Sequence, residues 1–218
     1  MVLSRKENSM TKVYLTRHGE TIWNKQYRFQ GHKDSELTEK GILAAELLAD
    51  RVEEIDIDCI VSSPLLRAYN TAEIVRGNKD IKIYKHDGLK EINLGDFEGK
   101  SYSDIKNETP ELLSFIERDP FNNRYPNGEN LKEFYDRVTK AFNEITKKCK
   151  NKTILIVAHG GTLKCIEAYI KKFKISNDWI GNVVKNCSLS YIEIDGSNEI
   201  REVFYNNIEH LEGSAALN

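Results

Sequence analysis

The stretch TILIVAHGGT, residues 153–162, places an apolar run directly before a histidine and two glycines. The run predicts a buried strand that ends at His159, and the HGGT that follows predicts the start of a helix. Strand character recurs in three other segments, namely KVYLT ending at Thr16, DCIVS ending at Ser62 and IKIYK from Ile81. A strand that is apolar throughout is typical of a parallel sheet covered on both faces.

Segments with helical period alternate with these strands. Thr38 is predicted to cap the first helix, and Ser63 to cap the second, with Pro64 at its first helical position. The predicted apolar stripes are Gly41, Ala44, Leu48 and Val52; Leu65, Ala68, Ala72 and Val75; Leu131, Phe134, Val138, Ala141 and Ile145; and Leu163, Ile166, Ile170 and Phe173. SLSYIEID and EIREVFYNN predict a closing pair of strands around the turn DGSN.

The alternation of strands and helices predicts an α/β fold, with three α/β/α layers around a mostly parallel central sheet. We expect one domain over residues 11–210, a polar N-terminal extension over 1–10 and a C-terminal tail over 211–218. The stretch 95–128 carries three of the four prolines. It is predicted to be the least regular part of the chain and a lid-like insertion over the crevice.

The composition argues against several classes of partner. Lys plus Arg number 32 and Asp plus Glu 34, so the net charge of −2 favours neither nucleic acid nor an anionic membrane as a partner. No apolar run approaches the length of a membrane span, and MVLSRKENSM lacks the apolar core of a secretion signal. A cytoplasmic protein is therefore expected. Neither the cysteines nor the histidines have a metal-ligand spacing, so no metal and no cofactor are expected, and the thiols are predicted to be reduced and buried; the cysteines are Cys59, Cys149, Cys165 and Cys187.

Basic side chains follow the predicted strands. Arg17 and His18 come after the first strand, and Arg67 lies early in the helix after the second. His159 follows the strand quoted above. Because the carboxyl ends of parallel strands meet at one edge of a sheet, these four residues are expected to converge on one crevice. Two arginines and two histidines in one crevice would repel one another electrostatically unless an anion were bound between them.

Glycines and one carboxylate strengthen this interpretation. Gly19, Gly160 and Gly161 directly follow the two histidines, where they permit close approach of a ligand. HGGT also opens a helix, whose free N–H groups favour a phosphate. Glu91 could supply a carboxylate. Each residue alone has an ordinary alternative, such as a structural histidine, a surface salt bridge or a solubilising acid, and the combination favours an anion site.

The segment LTRHGETIWN, residues 15–24, resembles the signature of the histidine phosphatases, also called the phosphoglycerate mutase-like superfamily. The resemblance continues through RFQGHKDSELTEKG, VSSPLLRAYNTAEI, LKEINLGDFEGKSYSDI, PNGENLKEFYDRV and VAHGGTLKCI. It extends from Thr11 to about Asn206.

The resemblance implies that His18 attacks phosphorus and forms a phosphohistidine. Arg17, Arg67 and His159 would then neutralise the phosphoryl charge, with no metal required. Glu91 would protonate the leaving oxygen and later activate water. The substrate-binding residues that the resemblance implies are Arg17, Asn24, Gln30, Gly31, Arg67, His159 and Gly160.

The segment after Glu91 is short and resembles that of the compact bacterial broad-specificity phosphatases. This similarity implies a histidine acid phosphatase-type phosphoric monoester hydrolase that acts on small phosphorylated metabolites. The alternatives are a cofactor-dependent phosphoglycerate mutase, a narrow-specificity phosphatase such as one for α-ribazole phosphate, and a non-catalytic phosphate-binding scaffold. A homodimer is left open.

Other residues near these motifs receive secondary interpretations. Asp96 and Glu98 are predicted to be solvated loop carboxylates. His32, His86 and His210 match no catalytic position of the family. Five aromatic residues are candidates for an apolar wall beside the substrate, namely Trp23, Tyr27, Phe29, Phe97 and Tyr102.

Overall fold

A computed structural model describes residues 10–173 and 184–212. Among these residues, one sheet contains β1 (Thr11–Arg17), β2 (Cys59–Ser62), β3 (Lys82–Lys85), β4 (Thr153–Ala158), β5 (Leu189–Ile194) and β6 (Ile200–Asn207). The strand order across the sheet is β3-β2-β4-β1-β5-β6. The first four strands run parallel, and β5 and β6 are antiparallel additions at one edge. The mostly parallel sheet and the closing pair of strands are both confirmed.

Helices cover both faces of this sheet. The described helices are α1 (Ile22–Lys25), α2 (Glu39–Arg51), α3 (Leu66–Arg76), α4 (Tyr102–Glu108), α5 (Pro110–Arg118), α6 (Leu131–Lys148) and α7 (Gly160–Ile170). Side chains alternate across β4, so Ile154 and Ile156 pack against α6 and α7, whereas Leu155 and Val157 pack against α2 and α3. The three-layer α/β/α prediction is confirmed.

The predicted cap of α2 is confirmed and that of α3 is wrong. The Thr38 hydroxyl accepts a hydrogen bond from the Gly41 amide at 2.9 Å. α3 begins only at Leu66, two residues after Pro64, and Ser63 does not cap it. Instead, the Asp34 carboxylate accepts from the Leu66 amide at 2.8 Å and from the Arg67 amide at 3.3 Å. A charged acceptor at a helix N-terminus is the stronger cap, and it comes from a distant loop.

The predicted apolar stripes are buried in the first three helices, but the fourth ends early. Leu163 and Ile166 are buried in α7, whereas Phe173 lies beyond the helix and is 61% exposed. The Phe173 amide donates to the Ala168 carbonyl, and Lys172 has φ +55°. This is a Schellman motif, which ends the helix at Ile170 before the periodic pattern does.

The stretch 95–128 is more regular than predicted, because it contains α4 and α5. Pro110 occupies the first turn of α5, where its missing N–H costs nothing. The two helices enclose a small core of Leu94, Phe97, Ile105, Leu113 and Ile116. The lid role of this stretch stays a prediction.

Two further expectations concern the chain ends and the membrane. Residues 1–9 of the predicted N-terminal extension and 213–218 of the predicted tail lie outside the described residues. Among the described helices, none combines the length and the apolar character needed to cross a membrane.

Candidate active site

The two histidines lie side by side at the carboxyl edge of the sheet. Arg17, the last residue of β1, is paired with Ala158, the last residue of β4. The next residue of each strand is a histidine, and the ring centroids of His18 and His159 are 5.2 Å apart. Both side chains are buried. The predicted convergence of the strand ends is confirmed for this pair.

His18 is held as a neutral imidazole with one nitrogen available. Its Nδ1 lies 2.7 Å from the Gly19 carbonyl oxygen, which can only accept, so Nδ1 carries the proton and donates. Burial, with the nearby guanidinium groups of Arg67 and Arg17, holds the pKa of His18 well below 6.5. Nε2 is therefore unprotonated at neutral pH. The Asn186 amide also donates to the His18 carbonyl at 2.7 Å and fixes its backbone.

Arg67 is locked in place by the loop that precedes α2. Its side chain is 1% exposed and donates from Nη2 to the Gly31 carbonyl at 2.7 Å. Nη1 donates to the Lys33 carbonyl and to the Asp34 carboxylate, each at 2.8 Å. Burial lowers the pKa of Arg67, and Asp34 opposes that shift. The guanidinium is thus oriented before any ligand arrives.

Arg17 is the second arginine near the histidines. Its Nη1 donates to the Val184 carbonyl at 2.7 Å. Burial lowers the pKa of Arg17, the nearby Glu91 carboxylate raises it, and Arg67 lowers it further. Two guanidinium groups and Glu91 therefore share one electrostatic environment, as the sequence predicts.

Three buried nitrogens of this cluster have no hydrogen-bond partner within residues 10–173 and 184–212, and we call them the three unpaired nitrogens. They are Arg17 Nε, Arg67 Nε and His159 Nδ1. A buried donor without an acceptor costs about 1–3 kcal/mol, so such groups are rare in folded proteins. An anion bound in this cluster would offer oxygen acceptors to such nitrogens.

Glu91 lies against the N-terminus of α7. Its Oε2 accepts a hydrogen bond from the Gly161 amide at 3.0 Å, and Oε1 accepts from the Ile92 amide at 3.0 Å. A Cβ atom on Gly161 would lie 2.3 Å from Glu91 Oε1. Glycine at this position is therefore what allows the carboxylate to approach the helix.

The backbone at Glu91 is held by Arg137, a residue that the sequence analysis missed. Arg137 donates three hydrogen bonds to carbonyls of the 88–91 segment, each at 3.1 Å, and two to the Glu129 carboxylate. His32, which matches no catalytic position, places its Nε2 2.9 Å from the Glu91 carbonyl. These contacts hold the backbone of the 88–91 segment and leave the Glu91 side chain directed to α7.

Glu98 is buried, so the prediction of a solvated carboxylate is wrong. It accepts hydrogen bonds from the amides of His32 at 2.7 Å, Lys33 at 3.1 Å and Leu94 at 3.1 Å. Gly31 has φ +55°, and a Cβ there would lie 2.1 Å from Glu98 Oε1. The carboxylate thus replaces water for the amides of the loop that orients Arg67. Asp96 is exposed, as predicted.

The remaining predicted binding residues have mixed positions. Gly31 contributes its carbonyl to Arg67, and Gly160 lies against Arg17. The Asn24 amide oxygen accepts from the Thr21 amide at 3.1 Å. In the part of the chain that the structure describes, no hydrogen bond joins Asn24 or Gln30 to His18. Their assignment as substrate-binding residues stays a prediction.

Phe97 does not belong to an apolar wall at the substrate. It is 2% exposed and packs edge-on against Tyr125 at 5.6 Å between ring centroids. Its side chain packs in the small core of the 95–128 stretch. Tyr27 and Tyr102, by contrast, are exposed.

Thr71 also supports the site, although the sequence motifs do not assign it a role. The Gly19 amide donates to its hydroxyl at 3.0 Å, and the hydroxyl donates to the Arg67 carbonyl at 2.7 Å. Thr71 therefore links the backbone next to His18 with the backbone of Arg67. A polar residue beside the buried stripe of α3 could have drawn attention to it, whereas Asp34 and Asn186 stand in loops without a pattern.

Comparison with known proteins agrees with this geometry. The family model of the histidine phosphatase superfamily, branch 1, matches residues 13–207. The chain belongs to this superfamily. A solved structure of Bacillus stearothermophilus YhfR is 37% identical, with a TM-score of 0.86, and the match covers 93% of this chain and 100% of that one.

Two other solved structures show the range of the superfamily. The α-ribazole phosphatase of Shigella flexneri is 27% identical, with a TM-score of 0.83 and coverage of 90% and 98%. A phosphoglycerate mutase of Bacillus anthracis is 25% identical, with a TM-score of 0.77 and coverage of 94% and 96%. The predicted family and fold are confirmed, and the chain is an enzyme of the phosphate monoester hydrolase class.

Proposed function

We propose that the chain hydrolyses small organic phosphate monoesters through a phosphohistidine formed on His18 Nε2. The observation that carries this proposal is the neutral His18, whose Nδ1 is fixed on the Gly19 carbonyl at 2.7 Å beside the three unpaired nitrogens. Such a site supplies a nucleophile and a set of donors for the phosphoryl oxygens in one buried place.

In the first half-reaction, the Nε2 lone pair attacks phosphorus and the bond from phosphorus to the alkoxy oxygen breaks. Arg17, Arg67 and His159 donate to the phosphoryl oxygens, whose charge is spread over three equatorial atoms. Glu91, acting as the general acid, gives a proton to the leaving alkoxide, which departs as an alcohol.

In the second half-reaction, Glu91, now a carboxylate, takes a proton from water. The hydroxide that forms attacks phosphorus, the bond to His18 Nε2 breaks, and inorganic phosphate leaves. The nitrogen regains its lone pair, and Glu91 regains its proton. Each group thus returns to its starting state after one turnover.

Water is favoured over a second hydroxyl as the acceptor because two cations of the 95–128 stretch, Lys100 and Arg124, are paired with carboxylates of the protein. Lys100 contacts the Glu108 carboxylate at 2.7 Å. Arg124 contacts Glu133 and donates to the Gly128 carbonyl at 2.8 Å. The carboxylate of a phosphoglycerate would have to compete with Glu108 and Glu133 for these two cations, which favours the phosphatase over the mutase.

The test is a panel of phosphate monoesters that includes 3-phosphoglycerate. We expect release of inorganic phosphate from alkyl and aryl phosphates, its persistence in EDTA, and its loss in His18→Ala. Interconversion of 3- and 2-phosphoglycerate without phosphate release would refute the hydrolase. A strict metal requirement would contradict the arginine-based mechanism.

We also infer a cytoplasmic location for the enzyme. All four cysteines are free thiols, which suits a reducing compartment.

A further inference from the structure

The hydroxyl of Ser63 is used at the active site rather than at the helix start. Its Oγ lies 2.7 Å from His159 Nε2, and both side chains are fully buried. The Leu65 amide donates to the same oxygen at 3.3 Å. Ser63 therefore joins the end of β2 to the second histidine of the site.

The distribution of hydrogens around Ser63 defines the direction of this bond. A serine hydroxyl has one proton to donate, and Oγ already receives the Leu65 N–H. In the described parts of the chain, the acceptor within reach of that proton is His159 Nε2. If Nε2 carried a proton instead, that proton would point at Ser63 Oγ, and the buried hydroxyl proton of Ser63 would have no acceptor among the described residues. An unsatisfied buried donor lowers the stability of the fold.

His159 is neutral, so only one of its nitrogens carries a proton. Burial, with Arg67, His18 and Arg17 nearby, holds the pKa of His159 well below 6.5. With Nε2 accepting from Ser63, the proton resides on Nδ1. Nδ1 is one of the three unpaired nitrogens.

We propose that Ser63 is a positioning residue that holds His159 in its Nδ1-protonated tautomer, so that His159 donates a hydrogen bond to the phosphoryl group. This inference rests on the proposed function. In the other tautomer, the Nδ1 lone pair would meet the phosphoryl oxygens and repel them. Ser63 thereby turns a neutral histidine into a donor at the site.

The direct test is the protonation of each ring nitrogen of His159, measured by ¹H–¹⁵N NMR on protein labelled at histidine. We expect the proton on Nδ1 in the wild type and a shift toward Nε2 in Ser63→Ala. The rate constant kcat should fall about 10- to 100-fold for alkyl and aryl phosphates alike, at or below the loss from removing one oxyanion donor. A mere helix-start role would not move the tautomer.

Ser62→Ala is the matched control. Ser62 is also buried, but its hydroxyl donates to the Ser63 carbonyl at 2.9 Å and does not reach the histidine. This variant should keep the tautomer and the wild-type kcat.

A wild-type His159 protonated on Nε2 would overturn the proposal, as would Ser63→Ala with an unchanged tautomer or unchanged kcat. Unchanged kcat in Ser63→Ala would leave the phosphatase assignment standing. A wild type that hydrolyses no phosphate monoester would instead remove the proposed function. Should Ser63→Ala fail to fold, the wild-type tautomer decides the question alone.

Discussion

Replacing Gly161 by alanine tests whether the position of Glu91 sets the rate. The new Cβ would lie 2.3 Å from Glu91 Oε1, 3.2 Å from Glu91 Cδ and 3.1 Å from Phe134 Cε1. A carbon and an oxygen in non-bonded contact lie about 3.3 Å apart or more. The carboxylate must therefore withdraw by about 1 Å, the difference between about 3.3 Å and the 2.3 Å of the contact.

A displacement of this size predicts a large kinetic effect and a small effect on stability. Moving a catalytic group by about 1 Å can cost about 10²-fold in rate. We expect that loss in kcat for alkyl phosphates, whose leaving oxygen needs the proton of Glu91. Alanine is favoured over glycine by about 0.5–1 kcal/mol inside a helix; at Gly161, the second residue of α7, part of this gain offsets part of the clash.

The assay compares kcat for glycerol phosphate and p-nitrophenyl phosphate, with urea unfolding as the measure of stability. The aryl ester should lose much less, because its leaving group needs little protonation. Gly160→Ala is the companion variant, since its Cβ would lie 3.5 Å from Arg17 Nε, an ordinary contact, and it should cost less than Gly161→Ala. Wild-type kcat on glycerol phosphate in a folded Gly161→Ala would refute the reasoning.

Three further changes test other parts of the site. Glu91→Gln should slow alkyl phosphates far more than p-nitrophenyl phosphate, and equal losses on both would remove the acid role. Glu98→Gln keeps an oxygen for the amides of His32 and Leu94 but sets an NH₂ group against the Lys33 amide, so it should lower the free energy of unfolding by about 1–3 kcal/mol in urea; an unchanged midpoint would contradict this. Burial and the neighbouring arginines hold the pKa of His18 well below 6.5, so the acid limb of kcat/KM assigned to His18 should lie below pH 6.5. As the pH falls below about 6.5, His18 becomes protonated in the unfolded state while it stays neutral in the folded state. The free energy of unfolding should therefore decrease by up to about 1.4 kcal/mol for each pH unit below about 6.5. Urea unfolding of wild type and His18→Gln between about pH 7 and pH 5 measures this contribution, and parallel pH profiles would refute it.

The sequence predicted the sheet and the basic cluster because each rests on local pattern. The apolar run before His159 and the polar residues at strand ends need only parallel-sheet geometry to bring His18 and His159 together. The position of Glu91 shortly after the IKIYK strand makes it a candidate carboxylate, and the family resemblance gives it the acid role. The structure brings it to the N-terminus of α7.

The residues that support the cluster were harder to predict because their roles depend on tertiary contacts. Ser63 looked like a helix cap from its neighbour Pro64, but Asp34, about 30 positions earlier, takes that role. Glu98 looked solvated because loop carboxylates usually are, and only folding brings three amides to it. Phe173 fits the helical spacing of Leu163, Ile166 and Ile170 in the sequence, but a Schellman motif ends the helix at Ile170.

The central claim is that phosphate passes through His18. Rapid acid-free quenching of wild type during turnover of a labelled phosphate monoester, followed by mass spectrometry of the peptides, tests it most directly. We expect acid-labile phosphate on His18 in the wild type and none in His18→Ala. Phosphate on another residue, or steady turnover in His18→Ala, would contradict the mechanism.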